Sequence, residues 1–322
     1  MLSLEETYRA IRQAATWRCV PRDGLAVEGK DTHSWLQGQV SQDLNPVEVG
    51  GAADALVLSP QGRLVAACRL WRSGEERYVI ETEEGFGGRL AERLEHYRLR
   101  VKAVVSPIGL TLLECRGPTV PSAPVGSAPV TWPGYGGFDV LSEAPVRGRL
   151  GPGEIEAVAK LWRGEIVEPG DGAGFEAARI EAGLPRLGRE LGESTIAQEA
   201  GEGFVARSVS FTKGCYTGQE LIARIDARGS NTPRRLRGVV LGEGSARVGD
   251  ALVLEGSVVG EITSAAFSPG ASRVVALAYV KRSVAMPASV SVVPALDGAG
   301  ERSGQGAPAK SAEIRTLPLY DG

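Results

Sequence analysis

Two histidines and four cysteines are the whole supply of imidazole and thiol metal ligands in this 322-residue chain. Cys19, Cys68, Cys115 and Cys215 lie far apart with no C-x-x-C pair. Neither a disulfide framework nor a self-contained zinc or iron-sulfur site is expected from them. Long apolar runs are also missing: none approaches the roughly 18 residues of a membrane span. The first residues carry Glu5 and Glu6 where a signal peptide would have an apolar core, so the expected location is the cytoplasm, with no membrane contact. Charge of one sign is missing as well. With 36 basic and 39 acidic residues the net charge is −3, and no global pull toward nucleic acid or an anionic surface is expected.

What is abundant is glycine and proline, 43 and 19 residues, which favours turns and short elements over long helices. A hydrophobic share of 43% supplies a core, and the length suits two or three domains. Residues 3–15 place Leu4, Tyr8 and Ile11 on one helical face, with Ser3 and Glu6 in a capping-box pattern. "GLAVEG" reads as a short strand. Residues 30–44 then read as a helix capped by Asp31 or Thr32, with Trp35, Leu36 and Val40 at helical spacing. "ADALVLSP", "RLVAACRLWR" and "RYVIET" follow as an antiparallel meander. A second round consists of a helix with Leu90, Leu94 and Tyr97 on one face, followed by the β-rich "VKAVV" and "GLTLLECRG". Residues 117–137 are loop-like. "GEIEAVAKLWR" and "FEAARIEAGLP" read as helical pieces, the latter stopped by Gly183 and Pro185. From residue 234 the texture changes to short β-like runs between glycine-rich turns, the pattern of a small barrel or sandwich. The tail "DGAGERSGQGAPAKSAEIR", residues 297–315, reads as a flexible loop before a last strand around "IRTLPLY". The expected fold class is α+β, with units 1–233 and 234–322.

Two nucleotide-binding patterns are discounted. "GLAVEGKD" has Asp31 where a P-loop needs a hydroxyl, and "GAGFEA" has no buried strand before it. Arg224, Arg228, Arg234, Arg235 and Arg237 form a basic cluster without interleaved aromatics, which reads as a solvated strand before it reads as an RNA site. His33 and His96 sit on predicted helices beside charged residues and are read as surface or packing residues. "SFTKGCYTGQE" is different in kind. Gly214 and Gly218 permit tight turns around Cys215, and Lys213 would hold a nearby thiol as thiolate. A reactive Cys215 is the functional reading, and a small buried hydrophobe in a turn is the alternative.

Four blocks carry a resemblance to a known family. "KGCYTGQE", "LAVEGKDTHSWLQGQVSQDL", "RIEAGLPRLGREL" and "VGEITSAAFSPGASRVVALAYV" resemble, in turn, the signature, the G-x-D-x-x-x-x-L-Q-G block, the R-x-E-x-G-x-P block and the G-x-x-T-S barrel segment of the YgfZ family. These are folate-binding relatives of the glycine-cleavage T-protein. The resemblance spans nearly the whole chain and is weakest over 115–170. It implies an α+β module of ferredoxin-like repeats, with a C-terminal β-barrel completing a ring around a central cavity.

The resemblance also implies ligands and roles. Tetrahydrofolate or a derivative would be held by Glu181, whose carboxylate suits the paired N–H groups of a pterin. Its alternative is a helix-surface glutamate paired with Arg179 or Arg186. Cys215 would be nucleophile or soft ligand, and Lys213 would tune its ionisation. Gln219 and Glu220 would either contact the ligand or fix the loop, and Arg224 or Arg228 would meet the folate tail. Ala66 and Ala67 stand where T-proteins carry an aspartate pair, so aminomethyl transfer by their route is not expected. The resemblance points to a folate-binding accessory protein that assembles or repairs iron-sulfur enzymes, tRNA-methylthiolating enzymes among them. Two alternatives stay open: a folate-dependent one-carbon transferase or demethylase using Cys215, and an interaction scaffold with a vestigial cavity.

Overall fold

A computed structural model describes residues 1–120, 123, 124, 126–130, 132–143, 170–295 and 310–319. The expected helix over "GEIEAVAKLWR" lies outside them. Helix α1, Leu4–Gln13, begins at Ser3 with the capping box the sequence announces: Glu6 N–H donates to Ser3 Oγ (3.3 Å) and Ser3 N–H to Glu6 Oε2 (2.9 Å). It buries Thr7, Tyr8 and Ile11.

The two rounds of α+β sequence form one sheet. Strand β1, Thr16–Glu28, extends well beyond the expected "GLAVEG", because its first half is paired along its whole length to β5, Val104–Arg116. Its second half also pairs with β4, Arg77–Glu83. The meander β2 (Ala52–Leu58), β3 (Leu64–Gly74) and β4 lies on one side of β1, and β5, β7 (Gly137–Ser142) and the short β6 (Ala128–Pro129) lie on the other. The order is β2-β3-β4-β1-β5-β7-β6, and all the pairings are antiparallel.

Alternation along the strands gives this sheet two unlike faces. One buries Leu25, Val27, Val57, Leu70 and Ile80 in the largest apolar cluster, under helix α3, Gly87–His96, with its Leu90 and Leu94. The other carries Asp54, Arg69, Glu81, Arg22, Arg18, Glu114 and Asp139, set opposite one another by the strand register.

Helix α2, Thr32–Gln37, is much shorter than the pattern of Trp35, Leu36 and Val40 suggests, and Asp31 makes no side-chain cap. The Asp31 carboxylate accepts from Lys102 N–H instead (2.8 Å). Helix α4, Gly172–Ala182, is capped by Asp171, whose Oδ2 accepts from Ala173 N–H (2.9 Å), and ends at Gly183 with φ +74°. After a 3-10 turn at Ala197–Ala200 come α5, Glu202–Ser208, and α6, Gln219–Asp226.

Strands β8 (Arg234–Leu241), β9 (Ala251–Leu254), β10 (Ser257–Ser268), β11 (Arg273–Lys281), β12 (Ala288–Val293) and β13 (Lys310–Arg315) close a six-stranded barrel in the order β10-β11-β8-β13-β12-β9. Closure removes free strand edges. Its outer wall receives Ile180 of α4 among Leu236, Val275, Leu277 and Tyr279.

Candidate functional site

A cavity of about 260 Å³ opens between the charged sheet face, α5 and the segment after α4. Its wall combines aliphatic residues, among them Val20, Leu112, Leu184 and Leu187, with seven arginines and five carboxylates. The charges are threaded in order across the strands. Asp54 accepts from Arg69 Nε (2.7 Å), and Arg69 Nη1 donates to Asp139 (2.7 Å). Asp139 also accepts from Arg116 Nη1 (2.7 Å), while Glu114 accepts from Arg18 Nε (2.5 Å). Arg22 pairs with Glu83 and, at 3.1 Å, with Glu81.

This mutual pairing lets so many charges sit away from water. Burial pushes the Glu114 carboxyl up, but Arg18, Arg116 and Arg22 outweigh it and bring it down to about 2. Glu81 goes the other way: its burial raises it against the pull of Arg22 and Arg69. One donor of the wall, the Nε–H group of Arg116, has no hydrogen-bond acceptor among the described residues. Arg116 also stacks on Trp132, 4.5 Å from its ring centre. Ala67 lines the cavity, whereas Ala66 is buried in the core behind the sheet.

None of the seven residues singled out from the sequence lines this cavity. Glu181 is 3% exposed and already occupied. Its carboxylate accepts from Tyr8 OH (2.8 Å), Tyr135 OH (3.1 Å) and the Ser268 hydroxyl. The expected pterin anchor is thus a joint between α1, α4 and the end of β10. Arg179, two residues earlier, does reach the cavity wall, and its Nη2 donates to Ser264 Oγ of the barrel (2.8 Å). The R-x-E block and the barrel segment therefore face each other across one interface.

The signature loop is fastened elsewhere. Lys213 Nζ donates to the carbonyls of Gln37 (2.7 Å), Val40 (2.8 Å) and Gln42 (2.8 Å). All three of its protons are engaged, so Lys213 clamps the loop onto the segment after α2 and has none left for Cys215. Burial lowers its pKa to about 8, with Asp43 pulling the other way. Backbone bonds from Ser210 N–H to Ser41 O (2.9 Å) and from Thr217 N–H to Gly38 O (3.1 Å) reinforce the clamp.

Gly218, at φ +84°, lies so close to the β2–β3 turn that a Cβ would stand 2.4 Å from Ser59 O. Gly214 has open space around it and needs no glycine for room. Cys215 is exposed, while Cys68 and Cys115 are buried. Gln219 fixes the loop, its Oε1 accepting from Tyr216 N–H (3.1 Å), and Glu220, Arg224 and Arg228 are exposed.

The loop and the cavity do meet, through Gln42. Its carbonyl holds Lys213, and its Nε2 donates to the carbonyl of Arg207 (2.7 Å), a cavity residue on α5. Sequence reading missed Arg207, Arg69, Arg116 and the acids between them. The available signal was charge at alternate positions in β1, β3, β4 and β5, where one sheet face would normally be apolar.

A seven-stranded antiparallel sheet with a charged cavity on one face, joined to a six-stranded closed barrel, defines a T-protein-like fold. Residues 234–321 match the glycine cleavage T-protein C-terminal barrel domain. Over 99% of its length the chain superposes on 90% of the glycine cleavage system aminomethyltransferase T from Bartonella henselae, with a TM-score of 0.75 at 17% identity. An aminomethyltransferase of Symbiobacterium thermophilum is 27% identical, the match covering 86% of this chain and 81% of the relative. An uncharacterized protein of Haemophilus influenzae is also 27% identical, over 64% of this chain and 67% of that protein. Among the described residues no helix is long and apolar enough to cross a membrane.

Proposed function

We propose that this chain is a folate-binding accessory protein of the YgfZ type, serving the assembly or repair of iron-sulfur enzymes, and that it does not transfer aminomethyl groups. The observation that carries this reading is Ala67. A methyl group stands in the cavity wall where the resemblance puts a T-protein aspartate, and a methyl group can neither take a proton nor steady a developing cation.

The wall suits a flat polar head group. It offers aliphatic surface, a Trp132–Arg116 stack and the Nε–H donor of Arg116, which has no acceptor among the described residues. The volume of about 260 Å³ lies at the small end for ligand sites, enough for a pterin head with the rest of a folate leading outward. Bound tetrahydrofolate would supply an amine that carries one-carbon units. Cys215, exposed on a clamped loop outside the cavity, would act toward a partner protein as soft ligand or nucleophile. Arg207 and Gln42 tie that loop to the cavity, so that occupancy and thiol position share a support.

Glu81 favours a second reading, a one-carbon transferase or demethylase. It is a cavity carboxyl whose burial raises its pKa, as suits a group that exchanges protons. Calorimetry and turnover assays with tetrahydrofolate and its formaldehyde adduct separate the two. Binding without turnover supports the accessory role, turnover abolished in Glu81→Gln supports the enzyme, and absence of binding overturns both.

A further inference from the structure

Five of the cavity's seven arginines hold a carboxylate at 3.1 Å or less. Arg186 and Arg207 do not. Arg207 Nε lies 4.0 Å from Asp54, whose other oxygen already accepts from Arg69 at 2.7 Å. Arg186 Nη1 lies 3.5 Å from Glu176, which already takes two hydrogen bonds from Arg179, at 2.7 and 2.9 Å.

Neither guanidinium makes a side-chain hydrogen bond among the described residues, and both are about one-third exposed, at 33% and 31%. The deeper members of the wall are far less so: Arg116 is 1% and Asp139 3% exposed. The two under-compensated arginines therefore stand at the open end, and the saturated ones at depth. A guanidinium has five donors in a planar fork that matches a carboxylate, and such pairs are the strong class of hydrogen bond. Deeper in the wall, the buried Arg116 Nε–H lacks an acceptor, which independently points to a ligand inside.

We propose that Arg186 and Arg207 grip a carboxylate of the ligand at the cavity mouth, so that the site selects folates bearing a glutamyl tail over pteroates and pterins without one. This rests on the folate reading above and moves the tail contact from Arg224 and Arg228, which are exposed and outside the cavity wall, to residues within it.

The test compares binding of 5-formyltetrahydrofolate with that of the matching pteroate, which lacks the glutamate, by calorimetry at fixed salt. In the wild type the tail-bearing compound binds tighter by about ten- to a hundredfold, the range of a charge-assisted hydrogen bond. In Arg207→Gln and in Arg186→Gln the ratio falls toward one, and Arg207→Lys restores part of it. Thermal melts at unchanged midpoint confirm that each variant is folded. A wild-type ratio near one, or a ratio unaltered in both glutamine variants, overturns the proposal and leaves the folate reading standing. If neither compound binds to the wild type, the folate reading falls and this proposal with it.

Discussion

A carboxylate that already accepts from three hydroxyls, as Glu181 does from Tyr8, Tyr135 and Ser268, has little left for a ligand. Its removal is a stability event. Glu181→Ala orphans three buried hydroxyls and is expected to cost about 2–4 kcal/mol, read as a lowered urea midpoint at unchanged m-value. Glu181→Gln, which keeps one acceptor oxygen, is expected to cost less. An alanine variant as stable as wild type would show that the three bonds contribute nothing. The glutamate was legible in the sequence as part of a motif, but its role was not. Its partners are 173, 46 and 87 residues away in the chain, and no local spacing announces a hydroxyl arriving from that distance.

Tertiary partners also decided the lengths of individual elements. The helix expected over residues 30–44 stops at Gln37 because the carbonyls of Gln37, Val40 and Gln42 turn toward Lys213. An ammonium that serves three carbonyls satisfies what a further helical turn would have satisfied. Lys213→Met keeps length and apolar stem and removes all three donors. Amide exchange in residues 38–42 and at Thr217 is expected to rise about tenfold or more in this variant, measured by mass spectrometry, with the barrel unaffected. The barrel strands β8 to β12 and the capping box of α1 were legible, since alternation, turn glycines and Ser-x-x-Glu are local signals. Strand β13, Lys310–Arg315, lies in the stretch expected to be a flexible loop, its polar Lys310, Ser311 and Glu313 becoming strand only through pairing with β12 and β8. The full length of β1 was not. Its first half contains Arg18, Pro21 and Arg22, and such residues look unlike a central strand until Glu114 and Glu83 stand opposite them.

Across the whole molecule, the charge ladder makes the sheet module sensitive to acid. The Glu114 carboxyl is held near 2, below its usual 4.5, so between those values the folded chain binds fewer protons than the unfolded one. This group therefore adds stability above pH 4.5 that is lost as pH falls toward 2. Glu81, shifted upward, works in the opposite sense. Urea midpoints collected from pH 5 to pH 2 are expected to fall more steeply for the wild type than for Glu114→Gln. Parallel curves would exclude Glu114 as a source of the slope.

The barrel's outer wall has a consequence for anyone cutting the chain. Leu236, Val275, Leu277 and Tyr279 are kept dry by Ile180 from the other module, together with Leu317 and Leu319 from the barrel's own C-terminal segment. Freed at residue 233, the barrel would bare part of that oily strip to solvent. A fragment so made is a candidate for clumping, and a barrel-only version calls for polar replacements on the stripped flank before it is purified.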